Sequence, residues 1–93
     1  MVVGLASIEI HIPECGSLKR KRQFLKSIKD RVKNRFNVSI AEVDHNDLWQ
    51  RTTLGVSVVA NQKLFADQVL AGVVDLISKE SGIEILDYSI ELL

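Results

Sequence analysis

Cysteine, proline and aromatic side chains are all scarce in this chain, and each scarcity removes a class of protein. The single cysteine, Cys15, has no internal partner, so the chain is not a disulfide scaffold and a reducing cytoplasm is expected. One proline and five glycines are too few for a flexible linker or a collagen-like repeat, while 46% hydrophobic residues place the chain among globular proteins. No apolar run approaches the roughly 20 residues that a membrane helix needs, so no membrane is expected among the partners. Met1 to Ser7 lack a basic leader, and Glu9 and His11 interrupt the apolar stretch that follows. This segment reads as a strand rather than a signal peptide. With no low-complexity tract and no convincing repeat, 93 residues predict one domain, 1–93, with a modest core.

Periodicity supplies the elements. Ile8, Ile10 and Ile12 alternate with Glu9 and His11, predicting a strand over 2–12 that Pro13 and Gly16 end. Ser17 is a candidate N-cap for a helix over 17–36. Strands are expected over 37–45 and 52–60, joined as a hairpin by Asp44-His45-Asn46-Asp47. Asn61 is the expected cap of a second helix over 62–81, with Gly82 closing it, and 83–93 reads as the last strand. The order β-α-β-β-α-β predicts an α+β, ferredoxin-like sandwich: a four-stranded antiparallel sheet with both helices on one face. The other face is expected to be open and to carry Glu9, His11, Thr53 and Ser57 together with Val43 and Val59. Such a face serves as a solvent surface or as a pairing surface for a homodimer.

Acidic residues are nearly missing from one segment. Ser17 to Phe36 holds nine of the twelve Lys and Arg residues and one acid, Asp30, for a charge of +8, and the remaining residues sum to −8. Neutral overall, the molecule is predicted to be a charge dipole, and such asymmetry speaks about partners. On a helical wheel Leu18, Leu25, Ile28, Val32 and Phe36 form the buried stripe. Lys19, Arg22, Lys26, Lys29 and Lys33 follow one another at steps of three and four beside it. They form a ridge about 20 Å long at 1.5 Å per residue. Lys21 falls within the apolar quadrant, and its stem is expected to run along the core edge with the ammonium past the helix start. Four consecutive bases at a helix start oppose the helix dipole, at roughly 0.3–1 kcal/mol each. An anion on the backbone N–H groups after Gly16 and Ser17, with Lys19 and Lys21, would relieve that penalty. Three readings follow: a solvated charged face, a ridge for phosphate backbone, and a surface for an acidic protein.

RNA-recognition modules of the same plan stack bases on aromatics of the two central strands. The corresponding stretches here, Val2 to Ile8 and Thr52 to Val59, contain none. Any RNA contact is therefore expected through phosphates and to be salt-sensitive. The hairpin collects the only Trp, Trp49, with His45, Glu42, Asp44, Asp47 and Arg51. As a plain turn, its Asp and Asn side chains satisfy backbone groups while Leu48 and Trp49 pack on the sheet edge. As a contact surface, Trp49 and Arg51, with Glu42, would anchor a partner. As a metal site, Asp44, His45 and Asp47 with His11 have no supporting spacing, and as acid–base equipment His45 with Asp44 or Asp47 lacks a nucleophile. No catalytic residue, metal or cofactor is expected, and the chain reads as a non-enzyme.

Ser17-Leu18-Lys19-Arg20-Lys21-Arg22, the run Arg35 to Val43, and Asp47-Leu48-Trp49-Gln50-Arg51 together resemble the YlxP-like family of small bacterial proteins, a domain of unknown function. The likeness covers essentially the whole chain, including Ile10-His11-Ile12-Pro13-Glu14. Thr52-Thr53 and Gln23 depart from it in minor ways. The resemblance implies a ferredoxin-like fold and a bacterial cytoplasmic protein. The family's genes commonly lie beside those for translation initiation and ribosome maturation factors, which favours RNA or a ribosomal subunit as partner by association. The family brings no established active site. Lys19, Lys21, Arg22, Glu42, Trp49 and Arg51 are the motif residues it offers as candidate contacts.

Overall fold

A computed structural model describes residues 1–93. The elements run β1 (Val2–His11), α1 (Leu18–Arg35), β2 (Ser39–Asp44), β3 (Arg51–Ala60), α2 (Lys63–Ser78) and β4 (Glu84–Leu92). The sheet has the order β2-β3-β1-β4, and every pair in it is antiparallel. The expected βαββαβ, ferredoxin-like arrangement is thus the one observed. Alternation decides which face each strand residue takes. Ala6, Ile8 and Ile10 on β1 and Leu54, Val56 and Val58 on β3 are buried beneath the helices, and Leu5, Ser7 and Glu9 point to the open face. On β3 that open face carries Thr53, Ser57 and Val59, and on β2 it carries Val43.

Both helices are held by apolar stripes: Leu25, Ile28 and Val32 on α1, and Ala66, Leu70, Val73, Val74 and Ile77 on α2. Gly72 lets the two approach, because a Cβ there would meet the Phe36 ring at 2.9 Å. Two sequence expectations about helix ends need correction. The N-cap of α2 is Gln62, which makes no side-chain capping bond, and Asn61 lies one residue outside it. The helix ends at Ser78, capped by Lys79 in an ordinary right-handed conformation, so Gly82 does not close it. Gly82, at φ 85°, instead shapes the turn into β4. In α1 the expected cap is present: the Ser17 hydroxyl accepts from the Arg20 N–H at 3.0 Å.

A bulge in β2 sets up the most consequential contact. Glu42 pairs with Leu54, but the next paired residue, Asp44, sits opposite Thr53, leaving Val43 as the extra residue. Val43 covers Gly55, where a Cβ would lie 2.9 Å from its methyl. Glu42 keeps its side chain on the helix side, and its carboxylate accepts from the Thr52 hydroxyl at 2.6 Å and meets the Lys21 ammonium at 2.9 Å.

Lys21 is wholly buried. Its Nζ donates to the backbone carbonyls of His45 (2.8 Å), Leu48 (2.5 Å) and Arg51 (3.2 Å), with Asn46 O more distant at 3.4 Å. The ammonium therefore closes the loop between β2 and β3 around itself and ties that loop to the first turn of α1. This overturns two sequence expectations. Lys21 is not available to nucleic acid, because its charge is spent inside the molecule. Glu42 is not a partner contact, because its carboxylate balances that charge. A buried cation is tolerated only when paired and fully hydrogen-bonded, and both conditions hold here.

Removing one member of such a pair strands the other. Lys21→Met is expected to lower the unfolding free energy by about 3–5 kcal/mol, read from urea titrations at neutral pH. Lys21→Arg should fail to restore it, since a planar fork does not fit a cage shaped for a compact ammonium. Wild-type stability in either variant would refute this account of the loop.

Candidate nucleic-acid interface

The basic helix is built from a narrow apolar stripe, which leaves the rest of its circumference to charged side chains. Lys19, Arg22, Lys26 and Lys33 are exposed and Lys29 is half-buried. Their spacing places them on one flank of α1. The opposite flank faces α2, where Arg31 pairs with Glu80 and Arg35 lies over the Phe36 ring. The ridge therefore looks away from α2, on the side of the sheet edged by β2.

How many of these charges the molecule neutralises decides what the helix can do. Of the nine bases on α1, three have an acidic partner: Lys21 with Glu42, Lys26 with Asp30 on its own helix, and Arg31 with Glu80. Lys19, Arg22, Lys29 and Lys33 have none within 4.0 Å. The Lys26–Asp30 pair is exposed on both sides, where such pairs contribute about 0–1 kcal/mol. It holds Lys26 only weakly. The first turn contains no acid. With Lys21 neutralised, three bases still oppose the dipole there, a cost of roughly 1–3 kcal/mol against about 1 kcal/mol from the Ser17 cap.

At Gly16 and Ser17 the expected anion site is partly occupied by the protein itself. The Ser17 hydroxyl is used in capping and its carbonyl accepts from the Cys15 thiol at 3.4 Å. Gly16 is exposed with nothing near its Cβ position. Cys15 is buried in the core, in keeping with its reading as a small loop residue.

Trp49 and Leu48 are not fully covered by the sheet edge. Trp49 is 52% exposed and Leu48 44%. With Gln50 and Arg51 they line an open concavity of about 410 Å³. The surrounding backbone is nonetheless fixed. Gln50 O accepts from Ile12 N–H at 2.9 Å, and the Gln50 amide donates to Pro13 O at 3.1 Å. These bonds, with the Lys21 contacts, seat the loop directly against the start of α1.

A cluster that sequence reasoning missed lies at the same end of the open face. Glu9 accepts from the Thr53 hydroxyl at 2.7 Å and from Arg51 at 3.2 Å, and His45 Nε2 lies 3.7 Å from it. Beside it, His11 meets Glu84 at 3.3 Å. Strand register brings these groups together, Glu9 opposite Thr53 and His11 opposite Arg51. His45 does not act with Asp44 or Asp47. Asp44 accepts from the His45 backbone N–H instead, and no group of three or more His, Cys, Asp or Glu residues is placed to hold a metal ion. Arg51 is largely engaged by Glu9, which limits it as a partner contact, and its Nε is buried without an acceptor. His45 takes a left-handed φ of 60°, sending its carbonyl to Lys21 and its ring to Glu9.

The Thr53 hydroxyl above all, then the Arg51 hydrogen bond and the nearby His45 and Arg51 charges, holds the Glu9 carboxyl below its ordinary value of 4.5, against an opposing desolvation effect. A lowered folded-state pKa adds stability that is fully present above the ordinary value and disappears as pH falls through the folded value. Glu9→Gln should therefore flatten the acid side of a melting-temperature profile below pH 4.5, as followed by circular dichroism. A profile identical to wild type would remove Glu9 from the acid response.

Comparison with known proteins agrees with this architecture. The model of a family described as "Protein of unknown function (DUF503)" matches residues 3–90. The uncharacterized protein YlxP of Bacillus subtilis (strain 168) is 41% identical over 83 residues, covering 89% of this chain and 90% of its own. A de novo designed protein with ferredoxin fold, LFR1 1, superposes with a TM-score of 0.56 at 15% identity over 100% of this chain and 84% of the designed one. A C-terminal segment of the alpha subunit of aIF2 from Pyrococcus abyssi gives 0.53 at 21% identity, over 100% of this chain and 49% of that one. The structural likenesses speak for the fold alone. The matched sequence extends through β1, the basic helix, the Trp49 loop and most of β4, and on that ground the chain belongs to the DUF503 family.

Proposed function

We propose that this chain is a non-catalytic binding protein of the cytoplasm that holds RNA, most naturally on a ribosomal particle, through the exposed ridge of α1. The observation that supports this is the uncompensated charge. Four of the five ridge cations have no acidic partner, and the fifth has only a solvent-exposed one. A regular line of cations matches a regular line of phosphates better than a scattered charge would. The open face adds contrast rather than contact. It carries Glu9, Asp87 and Glu91 and no aromatic residue on β1 or β3, so it neither attracts phosphate nor stacks bases. No helix is long and apolar enough to cross a membrane.

A second reading is favoured by one feature of that face. Leu5, Val43 and Val59 are exposed there, around a shallow trough of small residues including Ser7, Gly55 and Ser57. A second copy seated on this face would give a homodimer with the ridges left outside. Sedimentation velocity of wild type and of Val59→Lys separates the cases, because only the dimer predicts a fall in mass.

Binding to structured RNA or to ribosomal subunits, measured across several salt concentrations, tests the first reading. Five phosphate contacts give a slope of log affinity against log salt of about −4.5 on duplex stretches and about −3.5 on single strands. Combined reversal of Lys19, Arg22 and Lys26 to Glu should abolish binding. Unchanged affinity in that variant would overturn the proposal.

A further inference from the structure

We infer that Trp49 is a stacking platform for an unpaired base, so that the ridge and the loop together select single-stranded over double-stranded RNA. This inference rests on the RNA reading above and narrows it to one class of ligand. Its starting point is an exposed aromatic on an immobilised backbone. The carbonyls of Leu48 and Arg51 are gripped by the Lys21 ammonium, and Gln50 is bonded through both its carbonyl and its side chain. Trp49 lies between these fixed points, yet 52% of its surface faces solvent. A large ring on a fixed loop loses little freedom when it is covered, which makes it an efficient contact.

The occupant is argued from charge and position. Lys21 belongs to the first turn of α1, so the loop it holds lies beside that turn, and Lys19 and Arg22, the first two ridge cations, flank Lys21 in sequence. A strand whose phosphates follow the ridge from Lys33 towards Lys19 arrives at the end of the helix where Trp49 waits. Single-strand binders combine these two parts, a basic track and an aromatic on which a base lies, and the stacking is indifferent to base identity. A duplex keeps its bases stacked on each other and has none to offer. The aromatics absent from the two central strands are thus replaced by one aromatic on the neighbouring loop. Arg51 does not compete for the strand, because Glu9 engages it on the open face.

Trp49 is the only tryptophan, so its fluorescence reports on this contact alone. The full chain would be titrated with an oligouridylate of about ten nucleotides, a length typical of one such groove, and with an RNA duplex of equal phosphate number. The single strand should bind more tightly and quench Trp49, while the duplex leaves it bright. Stacking of one base is worth about 1–3 kcal/mol. Trp49→Ala should therefore weaken single-strand binding by roughly 5- to 150-fold, leaving duplex affinity and the salt slope unchanged. Trp49→Phe should recover most of the loss, read by anisotropy of labelled RNA.

Single-strand affinity unaltered in Trp49→Ala, or binding without quenching, would overturn the stacking role while leaving the ridge proposal standing. Absence of any RNA affinity in the wild type would overturn both. A drop in sedimentation mass on Trp49→Ala, or quenching by polyglutamate as strong as by RNA, would assign the ring to a protein contact and overturn the inference as well.

Discussion

The ammonium of Lys21 is the centre of the bonds that fix the loop between β2 and β3 against the start of α1. Sheet and helices cohere through Ile8, Ile10, Leu54, Leu70 and Ile77, as in any two-layer sandwich. That core does not reach the residues between β2 and β3. The loop there has few apolar anchors, and its carbonyls point inward, where unpaired polar groups are costly. One buried cation satisfies two of those carbonyls and that of Arg51 at the start of β3, and it binds Glu42 at the same time. The bulge at Val43, the helix-side placement of Glu42 and the left-handed turn at His45 converge on this arrangement. Its consequence is a loop held firmly against the start of the basic helix.

Charge separation follows from the same economy. With Lys21 neutralised internally and Arg31 engaged by Glu80, the cations left without partners are concentrated on the flank turned away from α2. Acids on β1 and β4 share the opposite face of the sheet, with Glu9 opposite Asp87 and Leu5 opposite Glu91. Attraction between these groups across the body of the protein is weakened by distance and by salt, with a screening length of about 8 Å at physiological ionic strength. The ridge therefore keeps its field at the surface. Most of the helix's cations are left uncovered by the molecule's own carboxylates.

Much of this was legible in the sequence, because the elements announce themselves through period. Alternating Ile8, Ile10 and Ile12 mark the first strand, and the stripe through Leu25, Ile28 and Val32 marks the helix. The residues of the open face follow from alternation once the strands are known. Lys21 shows where legibility stops. Its position in the apolar quadrant signals burial, but its ligands are mainly backbone carbonyls 24 to 30 residues away, and side-chain types do not encode where a main-chain oxygen points. The cluster of Glu9, Thr53, His45 and Arg51 is hidden for a related reason. It exists only after strand register has placed residues more than forty positions apart side by side. A helix end leaves no mark in the sequence where no side chain performs the capping, as at Gln62.

The equal and opposite charges of helix and body have a consequence for the proposed RNA binding. A polycation laid along nucleic acid cancels its charge and drives it to condense. This molecule has a formal net charge of zero, so a copy attached by its basic side would bring an equal quantity of negative charge with it. A strand coated by many copies would keep its full electrophoretic charge and remain dispersed, tethered to the protein yet still repelling its neighbours.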